Sequence, residues 1–426
     1  AKTGDSGQWT GPVATFVAAE FNRAPVEISS VTLGNLFAAK YKWYLTHPVG
    51  EMTVTNKVNV PFLNVKATFK LKDYMDFGFD TEIKKLEPKQ TVTIPLIATL
   101  NNKVLQVTED TPIQAEFSLG YFESGQARTA TLTKPLRLYS RNAITWDDSR
   151  KLANFVTYKD EPVKAFAAEA NAAAAAEKVP GTAGLNEDAV KALRAWDALG
   201  AYGLRFAPNP ANPFETAHDD PNFPVDYTQY PRETLQRRSG QCSDLASLYA
   251  SLLIDSEIRV ALLDYPGHIT LMLDTEAGDA AEAGLPPDLL VAHEGTMWLP
   301  VEVTLVGKPF YDAVSKAAYA YKAEEAKGRV KVIDLDSAFQ EYEPVTMPPT
   351  DFVPTAPDAA EVARRDAAGL DSLAKARWTF LKARYGGRLE KDPNDLDARL
   401  QLGIVEYQSG RRDAADCTFL RLSCVA

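Results

Sequence analysis

Three side chains in the middle of this sequence, Cys242, His268 and Glu302, have the types and the order needed for covalent acyl transfer. A thiol attacks a carbonyl carbon once its proton is removed, an imidazole can remove that proton near neutral pH, and a carboxylate can hold the imidazole in the accepting tautomer. Cys242 opens the run CSDLASLYASLL, in which Leu245, Leu248, Tyr249, Leu252 and Leu253 fall at i, i+3, i+4, i+7 and i+8. That spacing is one apolar stripe of a helix. The cysteine then lies in the first turn, where unpaired N–H groups and the positive end of the helix dipole favour a thiolate. Four alternating or β-branched runs follow, IRVALLDY, HITLMLD, LLVA and MWLPVEVT, with turn residues Glu294 and Gly295 between the last two. They read as strands, with His268 opening one and Glu302 inside another. A helix followed by antiparallel strands would bring thiol, imidazole and carboxylate together.

Attack on an amide creates an oxyanion, which needs two donors. The backbone N–H of Cys242 is one candidate, and the side chains of Gln229 and Gln236 are candidates for the second. If water resolves the thioester the protein is a peptidase or amidase; if an amine does, it is a cross-linker.

The segments GQCSDLASLYASLL, PGHITLML and WLPVEVT resemble, in order and spacing, the three catalytic blocks of the transglutaminase-like superfamily. The resemblance implies a papain-like αβ core with Cys242 as nucleophile, His268 as base and Glu302 as orienting acid. Two departures are visible. The third residue is more often Asp, so Glu302 reaches one methylene further, and Gln241 and Ser243 stand where many bacterial relatives carry acidic residues.

The 426 residues suffice for two or three domains, and 45% hydrophobic with 24% charged residues indicates globular folding. A net charge of -11 argues against nucleic acid or an anionic membrane as the main partner. No apolar run is long enough to span a bilayer. The chain starts at Ala1 with neither an initiator Met nor a signal peptide, which fits an exported protein whose signal has been removed and equally a trimmed chain. Periplasmic or cell-surface localisation is the expectation, with the cytoplasm as the alternative.

From Val26 to Tyr139 the pattern has period two, as in Val65, Ala67, Phe69, Leu71, then Val92, Ile94, Leu96, Ala98, then Ile113, Ala115, Phe117, Leu119, Tyr121. Ser124-Gly125 marks a hairpin. This reads as an antiparallel β-sandwich that looks like an immunoglobulin-like domain and serves as a spacer or brace. After Trp146-Asp147-Asp148 the composition turns helical. The alanine-rich run 167–178 reads as a surface helix or a partly disordered one, and Asn186 starts a helix with Val190, Leu193, Trp196 and Leu199 on one face. A proline-rich loop over 208–231 leads into the cysteine helix and is placed to wall a substrate cleft. The acidic stretch 275–288 reads as surface and 310–327 as helix. Prolines over 343–358 suggest a linker or a wrap. Beyond Ala359 the chain resembles a tetratricopeptide repeat, through Leu402, Gly403, Gly410, Ala415 and Phe419, with Trp378 to Leu389 as half of an earlier unit. So short an array would need a docking partner or further residues, and a natural short cap fits as well.

The remaining candidates have simpler readings. The three cysteines form no disulfide framework, and Cys417 and Cys424, seven apart on a helix and about 10 Å apart along it, read as packing residues. His218 with Asp219 and Asp220 reads as polar loop, His293 as a turn residue, and His47 has no ligand pattern near it. Neither metal-ligand spacing nor a phosphate loop is present, so neither a metal nor a cofactor is expected.

The sequence therefore leads to a multidomain α+β protein. Its parts are a β-sandwich over 24–145, a papain-like, transglutaminase-like αβ domain over 146–340, a proline-rich linker over 341–358 and a short α-helical repeat segment over 359–426. The expected activity is acyl transfer from peptide or amide substrates through a Cys242 thioester, hydrolysis before cross-linking because no second amine cleft is identifiable. The expected partners are a peptide or protein substrate, cell-envelope material among the candidates, and a protein docked on the C-terminal helices. The alternative is an adaptor whose cysteine domain is inert.

Overall fold

Alternating burial organises the N-terminal part of the chain. The computed structural model describes residues 24–174, 182–208 and 225–423, and the chain divides into two compact units, Ala1–Arg141 and Asn142–Ala426. The first unit contains β1 (Val26–Leu33), β2 (Leu36–Phe37), β3 (Gly50–Asn56), β4 (Phe62–Leu71), β5 (Phe79–Leu86), β6 (Thr91–Leu96), β7 (Thr111–Glu123) and β8 (Gln126–Tyr139). They form a three-stranded sheet ordered β1-β3-β6 and a five-stranded sheet ordered β2-β8-β7-β4-β5. The period-two residues of β4 and β7 are buried, and register sets Phe69 opposite Phe117 with ring centroids 5.4 Å apart. Ser124 (φ 49) and Gly125 (φ 81) are both left-handed, as a two-residue hairpin between twisted strands requires.

Gly50 at the start of β3 lies tight against the end of β1. A Cβ there would lie 2.1 Å from the Thr32 carbonyl oxygen and 2.9 Å from Leu33 Cα, both backbone atoms that cannot rotate away. Gly50→Ala is therefore expected to destabilise by about 1–3 kcal/mol. The measurement is the urea midpoint of the full chain, and an unchanged midpoint would show that the β1–β3 pair can open to admit the methyl.

The second unit begins with β9 (Ala143–Ile144) and continues through α1 (Glu161–Ala174), α2 (Glu187–Tyr202), β10 (Arg205–Phe206), β11 (Asp226–Tyr227), α3 (Pro231–Arg237), β12 (Ser239–Gly240) and α4 (Cys242–Asp255). Asn186 caps α2, its Oδ1 accepting the Ala189 N–H at 2.9 Å. Then come β13 (Val260–Tyr265), β14 (His268–Asp274), β15 (Val291–His293), β16 (Thr296–Val301), α5 (Phe310–Glu325), β17 (Lys331–Asp334) and α6 (Leu335–Glu341). The five longer strands form one antiparallel sheet ordered β15-β16-β14-β13-β17. Two tight turns set its register. Gly267 (φ 68) closes β13 onto β14, while Glu294 (φ 48) and Gly295 (φ 89) close β15 onto β16.

Helix α4 is more deeply enclosed than its leucine stripe suggests, since every residue from Cys242 to Leu253 is buried. Helix α2 covers one side, with the Tyr249 hydroxyl donating to the Ala192 carbonyl at 2.8 Å and the Trp196 and Tyr249 rings edge-on at 5.5 Å. Strand β14 lies against it as well, and Ser247 and Ser251 are small enough to be enclosed.

The chain ends in α7 (Ala359–Lys391), α8 (Leu396–Gln408) and α9 (Arg412–Ser423), which belong to the same compact unit as the sheet. Residues 378–389 are part of the single 33-residue helix α7. At Gly403 a Cβ would lie 2.5 Å from the Phe419 ring, so glycine lets α8 and α9 close. The proline-rich stretch before α7 wraps the second unit: Val345 N–H donates to the Asn154 carbonyl at 2.9 Å, and Arg232 Nη1 to the Pro348 carbonyl at 2.8 Å.

Several sequence expectations change. In 275–288 the acidic side chains Glu276, Asp279, Glu282 and Asp288 are exposed as expected, whereas Ala277, Ala280, Ala283 and Leu285 are buried, so the segment is surface on one side only. Cys417 is exposed on α9 and packs into no core, the buried position on that helix going to Ala415. The described part of the alanine-rich run is helix to Ala174 with Ala167 and Ala170 buried. His218, Asp219, Asp220, Cys424 and most of the proline-rich loop (209–224) lie outside the described residues. Among those described, no helix is long and apolar enough to cross a membrane.

Candidate active site

Each of the three residues sits at the end of an element. Cys242 is the first residue of α4, and His268 is the first of β14, paired with Tyr265 across the turn. Glu302 falls just past β16, where it caps the short 3-10 turn Val303–Leu305, and so is not inside a strand as its pattern suggested. The displacement has a physical reason. The Glu302 Oε1 accepts the Thr304 N–H at 3.1 Å and the Thr304 hydroxyl at 2.6 Å, a local side-chain turn that competes with the ladder. This fold-back takes up the extra methylene of Glu and leaves Oε2 3.0 Å from His268 Nε2.

Glu302 is 3% exposed. Burial alone would raise its carboxyl, but the hydrogen bond and charge of His268 and the two Thr304 donors outweigh it and hold the group at about 2. The carboxylate therefore stays ionised above that pH and accepts a proton-bearing Nε2. Nδ1 is then the ring nitrogen left to act as a base.

Cys242 is 5% exposed, with its sulfur against the backbone N–H of Ile269, the residue after His268. Burial pushes the thiol up to about 12, the Asp244 and Glu302 charges push the same way, and the N–H groups of Ile269 and Ser243 only partly offset them. The helix terminus is present as the sequence implied, yet desolvation outweighs it. Cys242 is therefore a neutral thiol around neutral pH.

The oxyanion candidates differ in place. Cys242 N–H lies at the first position of α4, where an amide has no acceptor within the helix. Gln229 donates its Nε2–H groups to Asp244 Oδ2 at 2.8 Å and to the Ser239 carbonyl at 3.4 Å. Gln236 is exposed on α3. Gln241, not singled out as a donor by sequence, is 3% exposed and directs Nε2 to Ser243 Oγ at 3.3 Å. Two positioning side chains also escaped sequence reasoning. Thr304 could have been found from the Glu-x-Thr spacing that builds a side-chain turn, and Asp244 from its place three residues after the helix cap.

Two other described histidines, His47 and His293, have local partners of their own. His47 stacks on Trp43 with ring centroids 3.9 Å apart, and His293 precedes the β15–β16 turn, its carbonyl accepting the Trp298 Nε1–H at 3.1 Å. Among the described residues no group of His, Cys, Asp and Glu is arranged to hold a metal. An open groove of about 850 Å³ lies along α7, lined by Pro286, Pro287, Tyr311 and Phe380 among others, and contains none of the three residues. No family model matches the chain, and no curated protein matches it.

Proposed function

We propose that this protein is a transglutaminase-like cysteine acyltransferase that hydrolyses peptide or amide bonds through a Cys242 thioester. In this reading the second unit carries a papain-like core, the N-terminal sheets are an immunoglobulin-like spacer or brace, and α7 to α9 are tetratricopeptide-like. Its main support is the 3.0 Å contact between His268 Nε2 and the buried Glu302 carboxylate. That contact fixes the imidazole tautomer on the strand whose next N–H meets the cysteine sulfur.

The reaction follows from the neutral thiol. As sulfur attacks the carbonyl carbon, the S–H proton passes to His268 Nδ1 and the carbonyl becomes an oxyanion beside the Cys242 N–H. Collapse breaks the C–N bond, and the imidazolium returns its proton to the leaving amine. Water, deprotonated by the same nitrogen, then attacks the thioester; the C–S bond breaks, the acid leaves, and the imidazolium returns its proton to the Cys242 sulfur. A cysteine only 5% exposed suits a small acceptor such as water better than a macromolecular amine. The same enclosure favours the second reading, an inert adaptor whose cysteine is a core residue.

An activated acyl ester separates the two. Cys242 should form a thioester, seen as a mass increment that hydroxylamine removes, and His268→Ala should slow its formation at least about 100-fold. Equal labelling in both proteins would leave the adaptor.

A further inference from the structure

Asp244 is 3% exposed and lies two residues after the cysteine. Its Oδ1 accepts the Gln229 N–H at 2.7 Å, and its Oδ2 accepts both the Gln241 N–H at 2.9 Å and the Gln229 Nε2–H at 2.8 Å. One carboxylate thus ties the peptide just before the nucleophile to the segment that runs past it. Gly240 makes the closure possible, since a Cβ there would lie 2.6 Å from Asp244 Cβ. The tied segment is itself anchored: β11 pairs with β9, and Asp226 accepts the Trp146 Nε1–H at 2.8 Å.

A capping acid at a helix start is common and usually solvated. Here it is enclosed, and its charge has consequences. Burial raises its carboxyl to about 7, with Asp226 adding to the rise and the Gln229 and Gln241 donors opposing it. The sulfur meanwhile faces two acidic groups, Asp244 and Glu302. Glu302 is hydrogen-bonded to the His268 ring through Oε2. Asp244 has amide partners and no cation among its hydrogen bonds.

We infer that Asp244 is the positioning residue of this site: through Gln229 and Gln241 it fixes the peptide carrying the Cys242 thiol against residues 226–230, and its ionised form sets a negative charge near that thiol. The inference rests on the reading of Cys242 and His268 as nucleophile and base. Burial first, and the Asp244 charge with it, make a cysteine that resists casual alkylation and oxidation, because those reactions need a free thiolate. Geometry and charge act in opposite directions on the nucleophile, which makes them separable by substitution.

The test uses the full chain and two readouts, iodoacetamide labelling of Cys242 against pH and acylation by the activated ester. Asp244→Asn removes the charge and turns one acceptor into a donor. The pH midpoint of labelling should fall by about one unit or more, while acylation should slow about tenfold or more through lost alignment. Asp244→Glu keeps the charge and alters the reach, so its midpoint should stay at the wild-type value while its acylation slows. A helix cap that merely stabilised α4 would not move the midpoint downward. A folded Asp244→Asn protein with an unmoved or raised midpoint overturns the inference. If that variant does not fold, Gln229→Ala removes one of the three donors and should slow acylation about 3–10-fold; an unchanged rate overturns the inference equally. The two failures look different. His268→Ala acylating like wild type sinks the catalytic reading, whereas an impaired His268→Ala beside an unaffected Asp244→Asn sinks this inference alone.

Discussion

Glu302→Gln, a substitution that keeps the size and shape of the side chain, is expected to lower Cys242 acylation by roughly 10³–10⁴-fold. Thr304 dictates this outcome. Its backbone N–H donates to Glu302 Oε1 at 3.1 Å and can meet only an acceptor, so a glutamine there must keep its oxygen toward Thr304. The amide NH₂ is then presented to His268 Nε2 in place of Oε2, which now sits at 3.0 Å. A ring nitrogen facing a donor must be the unprotonated one, so the proton moves to Nδ1, the nitrogen required as base. The thiol then has nowhere to deliver its proton. Glu302→Ala removes the acceptor without imposing the wrong tautomer and should retain more activity than Glu302→Gln. Single-turnover acylation of the three proteins at pH 7.5 measures this. A glutamine variant as active as wild type would mean that Glu302 has a packing role only.

That prediction uses geometry that the sequence held only in part. His268 at the start of a strand, the Glu294-Gly295 turn and the period-two faces were legible because they are local: a turn dipeptide or an alternation carries its own physics. Glu302 was assigned to the strand because nothing in MWLPVEVT shows that the ladder stops at Val301. The enclosure of Cys242 was also beyond reach. It arises from α2 and β14 closing over α4, contacts between residues far apart in sequence, and it reverses the sign of the effect expected from the helix terminus.

Helix α7 shows the same limit. Its buried residues Val362, Asp366, Leu370, Leu373, Arg377, Leu381 and Tyr385 recur every three or four positions, a continuous stripe. Asp366 and Arg377 occupy places in that stripe where an apolar residue would have declared it. Only its Trp378 to Leu389 part stood out in the sequence, as half of a repeat unit. Polar residues placed at core positions conceal a stripe and also give it properties that an apolar one would lack.

Asp366 supplies the second large effect: the stability of the protein should fall as pH rises from about 4 to about 8. Asp366 on α7 faces Asp197 on α2, 5% and 3% exposed respectively, with Arg194 Nε 4.0 Å from Asp366 Oδ2. Glycine brings the helices this close, for a Cβ on Gly369 would lie 2.9 Å from Leu193 Cδ1 and 3.2 Å from Asp197 Oδ2. Burial, then the charge of Asp366, pushes Asp197 up to about 8 against the weaker pull of Arg365 and Arg364; burial pushes Asp366 up to about 6 against Arg194. Both folded values lie above the ordinary carboxyl value of 3.8. The folded chain thus holds protons that the unfolded chain has released. Its stability is full below the unfolded value, declines as pH rises and is lost through about 6 and then about 8. Asp366→Asn removes one of the two like charges and should flatten that decline. It should leave the urea midpoint nearly unchanged at pH 4 and raise it at pH 8.5, by a difference on the order of 2 kcal/mol in unfolding free energy. The same pH slope in wild type and variant would exclude the pair as its source. Because α2 also carries Trp196 and the Ala192 carbonyl that receive Tyr249 of the cysteine helix, loosening α7 from α2 at alkaline pH would act on the support of α4 before it reached the site itself.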